Sequence, residues 1–154
     1  MGQFRAGISV LVCATFLGCG AGGPVRIHYG SDQCDNCKMN IMDNRFGSET
    51  VTTTNKVYKF DSIECMSAFN ARINQSSEQV ASNWVTDFYK PETFIPLASS
   101  RIVRTKGLQS PMGLGFVATS SDGDADKFRS EYGGDLMNWG DITKLVTDSW
   151  STGH

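Results

Sequence analysis

Residues 49–69 read ETVTTTNKVYKFDSIECMSAF. Threonine and valine dominate 49–54, and β-branched and aromatic residues return over 57–60, with Asn55-Lys56 between the two runs. Such runs on either side of a two-residue turn predict a β-hairpin. Asp61 then offers an N-cap, Glu64 stands three positions on as the other half of a capping box, and Phe60 can staple onto Cys65. A helix of about 12 residues is expected to follow. Ile63, Met66, Phe69 and Ile73 recur at helical spacing and mark its buried stripe. Cys65 falls about 80° from the centre of that stripe, at the edge of the buried face. After a polar break at 76–78, residues 83–89 (NWVTDFY) read as a third strand.

The same order recurs downstream. Residues 100–105 (SRIVRT) and 112–120 (MGLGFVATS) read as strands. Residues 121–124 offer caps for a helix with Ala125, Phe128 and Tyr132 on one side, and Gly133-Gly134 ends it. Residues 135–139 read as a closing strand, after which Asp141 caps a last short helix through Leu145 and Val146. Each half is therefore β-β-α-β. The expected fold is α+β, with two similar modules packed together, 31–90 and 91–154, joined near Lys90-Pro91.

Composition fits this. The chain has 154 residues, formal charge −2, 40% hydrophobic, 19% charged and 10% aromatic residues. That suffices for one ordinary domain or two small modules on one core, and it excludes a TIM barrel and a disordered chain. The near-neutral balance argues against nucleic acid as a partner. No paired carboxylates, Ser/His/Asp order or glycine-rich phosphate loop stands out, and of two histidines one, His154, is terminal.

The N-terminus reads as an address. Residues 1–18 carry one charge, Arg5, then a short apolar run ending in Gly18, the pattern of a secretory signal peptide too short to span a bilayer. Phe16-Leu17-Gly18-Cys19 resembles a bacterial lipobox, which implies cleavage before Cys19 and lipid attachment to its thiol; a signal peptide cut elsewhere is the plainer alternative. Residues 19–30, beginning with a glycine-rich run, are expected to be a lipid-anchored tether. Cys13 would leave with the leader and Cys19 would be blocked, so Cys34, Cys37 and Cys65 remain. An odd number of thiols in an oxidising compartment points to chemistry or metal rather than a disulfide scaffold.

The residues fit for that chemistry are His28, Cys34, Cys37 and Met39 in close succession, then Cys65-Met66 and Met112. Thiolate and thioether sulfurs suit Cu(I), and the Met two positions after the second Cys favours copper over zinc. Each has a plainer role: a disulfide for Cys34 and Cys37, core packing for Met39, Cys65, Met66 and Met112, a tether residue for His28, a helix cap for Asp61. A structural Zn module on His28, Cys34, Cys37 and Cys65 is a second reading, with the ligand count of a closed tetrahedral site. A thiol–disulfide oxidoreductase using Cys34 and Cys37 is a third.

The segments CDNCKMNIMDNRFGSET, KVYKFDSIECMSAF, SPMGLGFVA and ADKFRSEYGGDLMNW, in this order over 31–142, resemble the NosL family. The resemblance implies a fold of two β-β-α-β modules and a lipid-anchored envelope protein facing the periplasm. It implies Cu(I) binding and delivery to a copper-accepting enzyme or its maturation complex, in that family nitrous oxide reductase, and no catalysis. The family's metal-site Cys and Met correspond to Cys37 and Met39, or to Met112 in its Pro-Met-Gly turn, with His28 as third-ligand candidate. Two departures stand out. Lys38 occupies a position usually held by Gly, and Asp61 follows the aromatic where similar metal knuckles carry Cys.

Overall fold

The computed structural model describes residues 22–74 and 76–151. The leader and Cys19 lie outside them. Strands β1 (Ser48–Thr52) and β2 (Val57–Phe60) form the expected antiparallel hairpin, in register from Ser48 opposite Phe60 to Val51 opposite Val57. Asn55 closes the turn at φ 62°, a conformation asparagine tolerates better than most residues. Helix α1 (Ile63–Ile73) follows, and β3 (Val80–Thr86) returns antiparallel to β1. A short strand β4 (Phe94–Pro96), absent from the sequence reading, extends the sheet to the order β2-β1-β3-β4. It is three residues long and ends in proline, which confines it to an edge.

The second half repeats the plan. Strands β5 (Arg101–Arg104) and β6 (Phe116–Thr119), helix α2 (Asp122–Tyr132) and β7 (Asp135–Met137) form a sheet of order β6-β5-β7. In each module the first strand lies between the second and third, so the fold is α+β with two β-β-α-β modules. Ser121 caps α2 by accepting from the Asp124 N–H, and Gly133 at φ 69° ends it. Helix α3 (Trp139–Ser151) packs on α1. Its first turn is capped by Asn138, whose Oδ1 accepts from the Asp141 N–H at 3.0 Å, so Asp141 lies inside the helix rather than at its cap.

One core joins the modules: Cys34, Phe60, Cys65 and Met66 of the first lie with Ile102, Phe116 and Ala118 of the second. The Phe88 N–H also donates to the Ala118 carbonyl at 2.9 Å. Of the expected tether, the described part from Gly22 onward runs along the domain. Ile27 is buried, and the Val25 N–H donates to Glu49 Oε2 at 2.8 Å. This cover buries all five residues of β1, four of them polar. On the other face Ser48 Oγ donates to the Ser62 carbonyl, and Thr50 Oγ1 bonds with Asn70 of α1 and Asn83 of β3.

Candidate metal centre

Residues 34–39 form a tight knuckle. The Lys38 N–H donates to the Cys34 carbonyl at 2.9 Å, and the Cys34 N–H to the Met39 carbonyl at 2.8 Å. Closing the turn places Lys38 at φ 64°, the left-handed conformation that glycine adopts freely and lysine adopts at a cost. The knuckle is pinned to β2 by paired backbone and side-chain bonds between Asp35 and Lys59. Cys65 approaches from the first turn of α1, and Asp61 from the junction of β2 and α1.

Four side chains meet there. The ligating atoms of Cys34, Cys37, Asp61 and Cys65 all lie within 4.8 Å of one another. Cys34 Sγ stands 3.5 Å from Asp61 Oδ1, and Cys37 Sγ stands 3.4 Å from Oδ2. All three cysteines are free thiols; Cys34 and Cys65 are fully buried and Cys37 half-buried. Thiolate–metal bonds are about 2.3 Å long, so donors within 4.8 Å of one another are close enough to share one ion.

Asp61 is the main correction to the sequence reading at this site. Expected as the helix cap, it instead faces the thiols, and Ser62 caps α1 by accepting the Cys65 N–H at 3.3 Å. Glu64, expected to complete the capping box, is fully buried and binds elsewhere: it accepts from Ser110 Oγ and from the Leu114 backbone. It thereby pins the 110–115 loop that carries Met112, and burial raises its carboxyl above the usual range. Asn36, inside the knuckle, donates to Cys65 Sγ at 3.3 Å and is itself held by Arg72 at 2.7 Å. The sequence signal for Asn36 is its place between the two cysteines, and that for Asp61 is its place after the aromatic, where similar metal knuckles carry Cys; Glu64 carried none beyond its capping pattern.

The three thiols differ in acidity. Cys34 is pulled down to about 6, chiefly by the hydrogen bond it receives from Cys65 and also by N–H groups of Cys37 and Asp61. Cys65, holding the shared proton and buried, is raised. Cys37 is pushed up to about 11, first by burial and then by the neighbouring anions. Negative charge thus collects in a buried pocket whose remaining thiols resist ionising unless a cation arrives. The distribution is the reverse of a redox pair: the acidic thiol, Cys34, is sealed in, and the accessible one, Cys37, is a poor nucleophile at neutral pH.

The other expected ligands fall differently. Met39 follows on the knuckle and is 50% exposed. Met112 is half-buried against the core that contains Cys34 and Cys65. Met66 is fully buried packing. The His28 side chain is 66% exposed, with Nδ1 3.6 Å from Asp32 Oδ2, and lies outside the four-donor group.

These features define a class: an α+β protein of two β-β-α-β modules with a sulfur-rich, carboxylate-edged pocket in the first. A family model for NosL matches residues 24–147, and the chain belongs to that family. A solved structure, described as the crystal structure of the copper chaperone NosL from Shewanella denitrificans, shares the fold. The TM-score is 0.68 at 24% identity, covering 82% of this chain and 98% of that one. Among curated proteins nothing matches.

Proposed function

We propose that this chain is a Cu(I)-binding metallochaperone of the cell envelope and not an enzyme. The observation that carries the reading is the convergence of three free thiols within 4.8 Å, one of them half-open beside Met39. Three soft donors satisfy a monovalent soft ion and leave room for an incoming ligand, so the ion leaves by ligand exchange. Family membership and the copper chaperone of the same fold support the cargo. In this proposal Cys34, Cys37 and Cys65 hold the ion, and Met39 stands at the accessible side. The acceptor is a copper enzyme or its maturation complex, and nitrous oxide reductase is the acceptor that the family resemblance implies. Lipid on Cys19 would hold the protein at the membrane, facing the periplasm.

A structural Zn(II) site is the second reading, favoured by Asp61 as a fourth ligand in the ring. One titration separates the two: full-length reduced protein, without oxygen, against competing chelators for Cu(I) and for Zn(II). The copper reading expects tight one-to-one Cu(I) binding that falls sharply in Cys37→Ser. Zn(II) binding that matches or exceeds it, with no dependence on Met39, supports the structural site.

A further inference from the structure

Residues 22–28 are bonded to the first module along their length. The Gly22 N–H donates to Asn55 Oδ1 in the β1–β2 turn at 2.8 Å. Glu49 of β1 and Lys59 of β2, opposite each other in the hairpin, both reach this segment: Glu49 accepts from the Val25 N–H, and Lys59 Nζ donates to the Arg26 carbonyl, each at 2.8 Å. Ile27 is buried, and the His28 N–H donates to Asp32 Oδ2 at 2.8 Å. The segment is thus a strut that crosses the hairpin from its turn to the loop carrying the cysteine knuckle. Strand β2 runs the same way, leaving the turn after Lys56 and ending at Phe60, next to Asp61 of the pocket. At about 3.3 Å per residue, Asp61 stands about 17 Å beyond Lys56.

Cys19, the proposed lipid site, precedes Gly22 by three residues, which span at most about 11 Å. We infer that the strut fixes how the protein stands on its membrane: the β1–β2 turn and the neighbouring 76–79 loop rest on phospholipid headgroups, and the cysteine pocket is held at the far end, facing the aqueous side. The inference rests on the proposed lipid at Cys19 and not on the identity of the ion. The turn suits that occupant. The Thr53 N–H donates to the Gln79 carbonyl at 2.9 Å, which joins the two loops into one face. Thr54, Asn55, Lys56, Ser76 and Ser77 are exposed on it. They offer hydroxyls, an amide and an ammonium, all able to donate to phosphate oxygens. The acid of this face, Glu78, accepts from the Tyr58 hydroxyl at 2.8 Å. An exposed lysine among neutral donors is drawn to anionic headgroups. An acceptor then meets the pocket from the aqueous side without displacing the anchor.

The test places the full chain, expressed with its lipid and isotope-labelled, in nanodiscs of phosphatidylethanolamine and phosphatidylglycerol. A trace lipid with chelated gadolinium on its headgroup broadens amide signals close to the membrane surface. The expected result is strong broadening at 53–56 and 76–79 and at least about tenfold less at 34–39, because the effect falls steeply over the roughly 17 Å between them. Inserting about ten Gly/Ser residues after Ala21 adds flexible reach between anchor and strut, and it should flatten this gradient. Equal broadening at both ends of the unmodified chain, or stronger broadening at 34–39, overturns the orientation and leaves the anchor and the cysteine site standing. A gradient that survives the insertion unchanged overturns the strut as its cause. Protein that stays out of the nanodiscs refutes the lipid at Cys19, and the orientation with it.

Discussion

Replacing Asp61 by Asn tests the metal assignment at one atom. Asn keeps the shape and an acceptor for the Cys37 thiol but removes a charge that stands 3.4–3.5 Å from two sulfurs. Between full charges at that distance, with an effective dielectric near 20, the interaction is about 5 kcal/mol. For Cu(I) on three thiolates, the carboxylate repels the sulfurs and attracts the ion, and these terms oppose each other. Cu(I) affinity should therefore hold or rise, by no more than about tenfold. For Zn(II), the same change removes a direct ligand, and affinity should fall at least about a hundredfold, beyond what loss of an outer partner costs. Competition against chelators for both metals reads this out. A Cu(I) affinity that collapses together with Zn(II) would refute the reasoning, because it would make Asp61 a ligand to both.

Other consequences follow from the same structure. Glu49 is fully buried, one carboxylate oxygen lacks a partner, and burial pushes it up to about 7 from an ordinary 4.5. Its ionisation therefore costs stability as pH rises from about 4.5 to 7 and not below; Glu49→Gln should flatten that slope and add about 2 kcal/mol at pH 8, measured by denaturant unfolding. Cys37, at about 11, should be alkylated by iodoacetamide slowly at pH 7 and roughly tenfold faster per pH unit above it, with Cu(I) protecting; Cys34, though more acidic, should resist because it is buried. A Cβ at Gly115 would collide with the Thr105 carbonyl, with φ at 78°, so Gly115→Ala should destabilise by about 3 kcal/mol or more in thermal melts.

The fold was largely legible where local chemistry and burial agree. The β1–β2 hairpin, the stripe Ile63, Met66, Ile73 on α1, the Ser121 cap and the Gly133 stop all stand as the sequence suggested. The sixth strand begins only at Phe116, because Gly113 and Gly115, at φ 83° and 78°, spend the preceding residues on a turn. Periodicity does not register such a turn. Local pattern put the cap on Asp61, with Glu three places on, whereas in the structure its neighbour Ser62 holds it. Tertiary structure decided this, since the thiols of the knuckle draw Asp61 toward them and Ser110 draws Glu64 away.

The site shows the same division. Cys34, Cys37 and Met39 were visible as a motif because their spacing is local. Cys65 was visible as a candidate ligand at the edge of a helix stripe, but its arrival beside Cys34 depends on how α1 docks. Asn36, which donates to Cys65 from the knuckle, and Arg72, which donates to Asn36 from the helix, could not be paired without the fold. Lys38 departs from the family's glycine, yet the turn keeps the left-handed geometry a glycine would supply. His28 lies next to the knuckle in sequence but points its imidazole at Asp32.

X-ray absorption at the copper edge of the Cu(I)-loaded, full-length protein measures the donor atoms themselves. The account predicts one copper per chain in a shell of sulfur alone. A shell containing nitrogen or oxygen, or protein that surrenders all its copper to a weak chelator before the spectrum is taken, would contradict it.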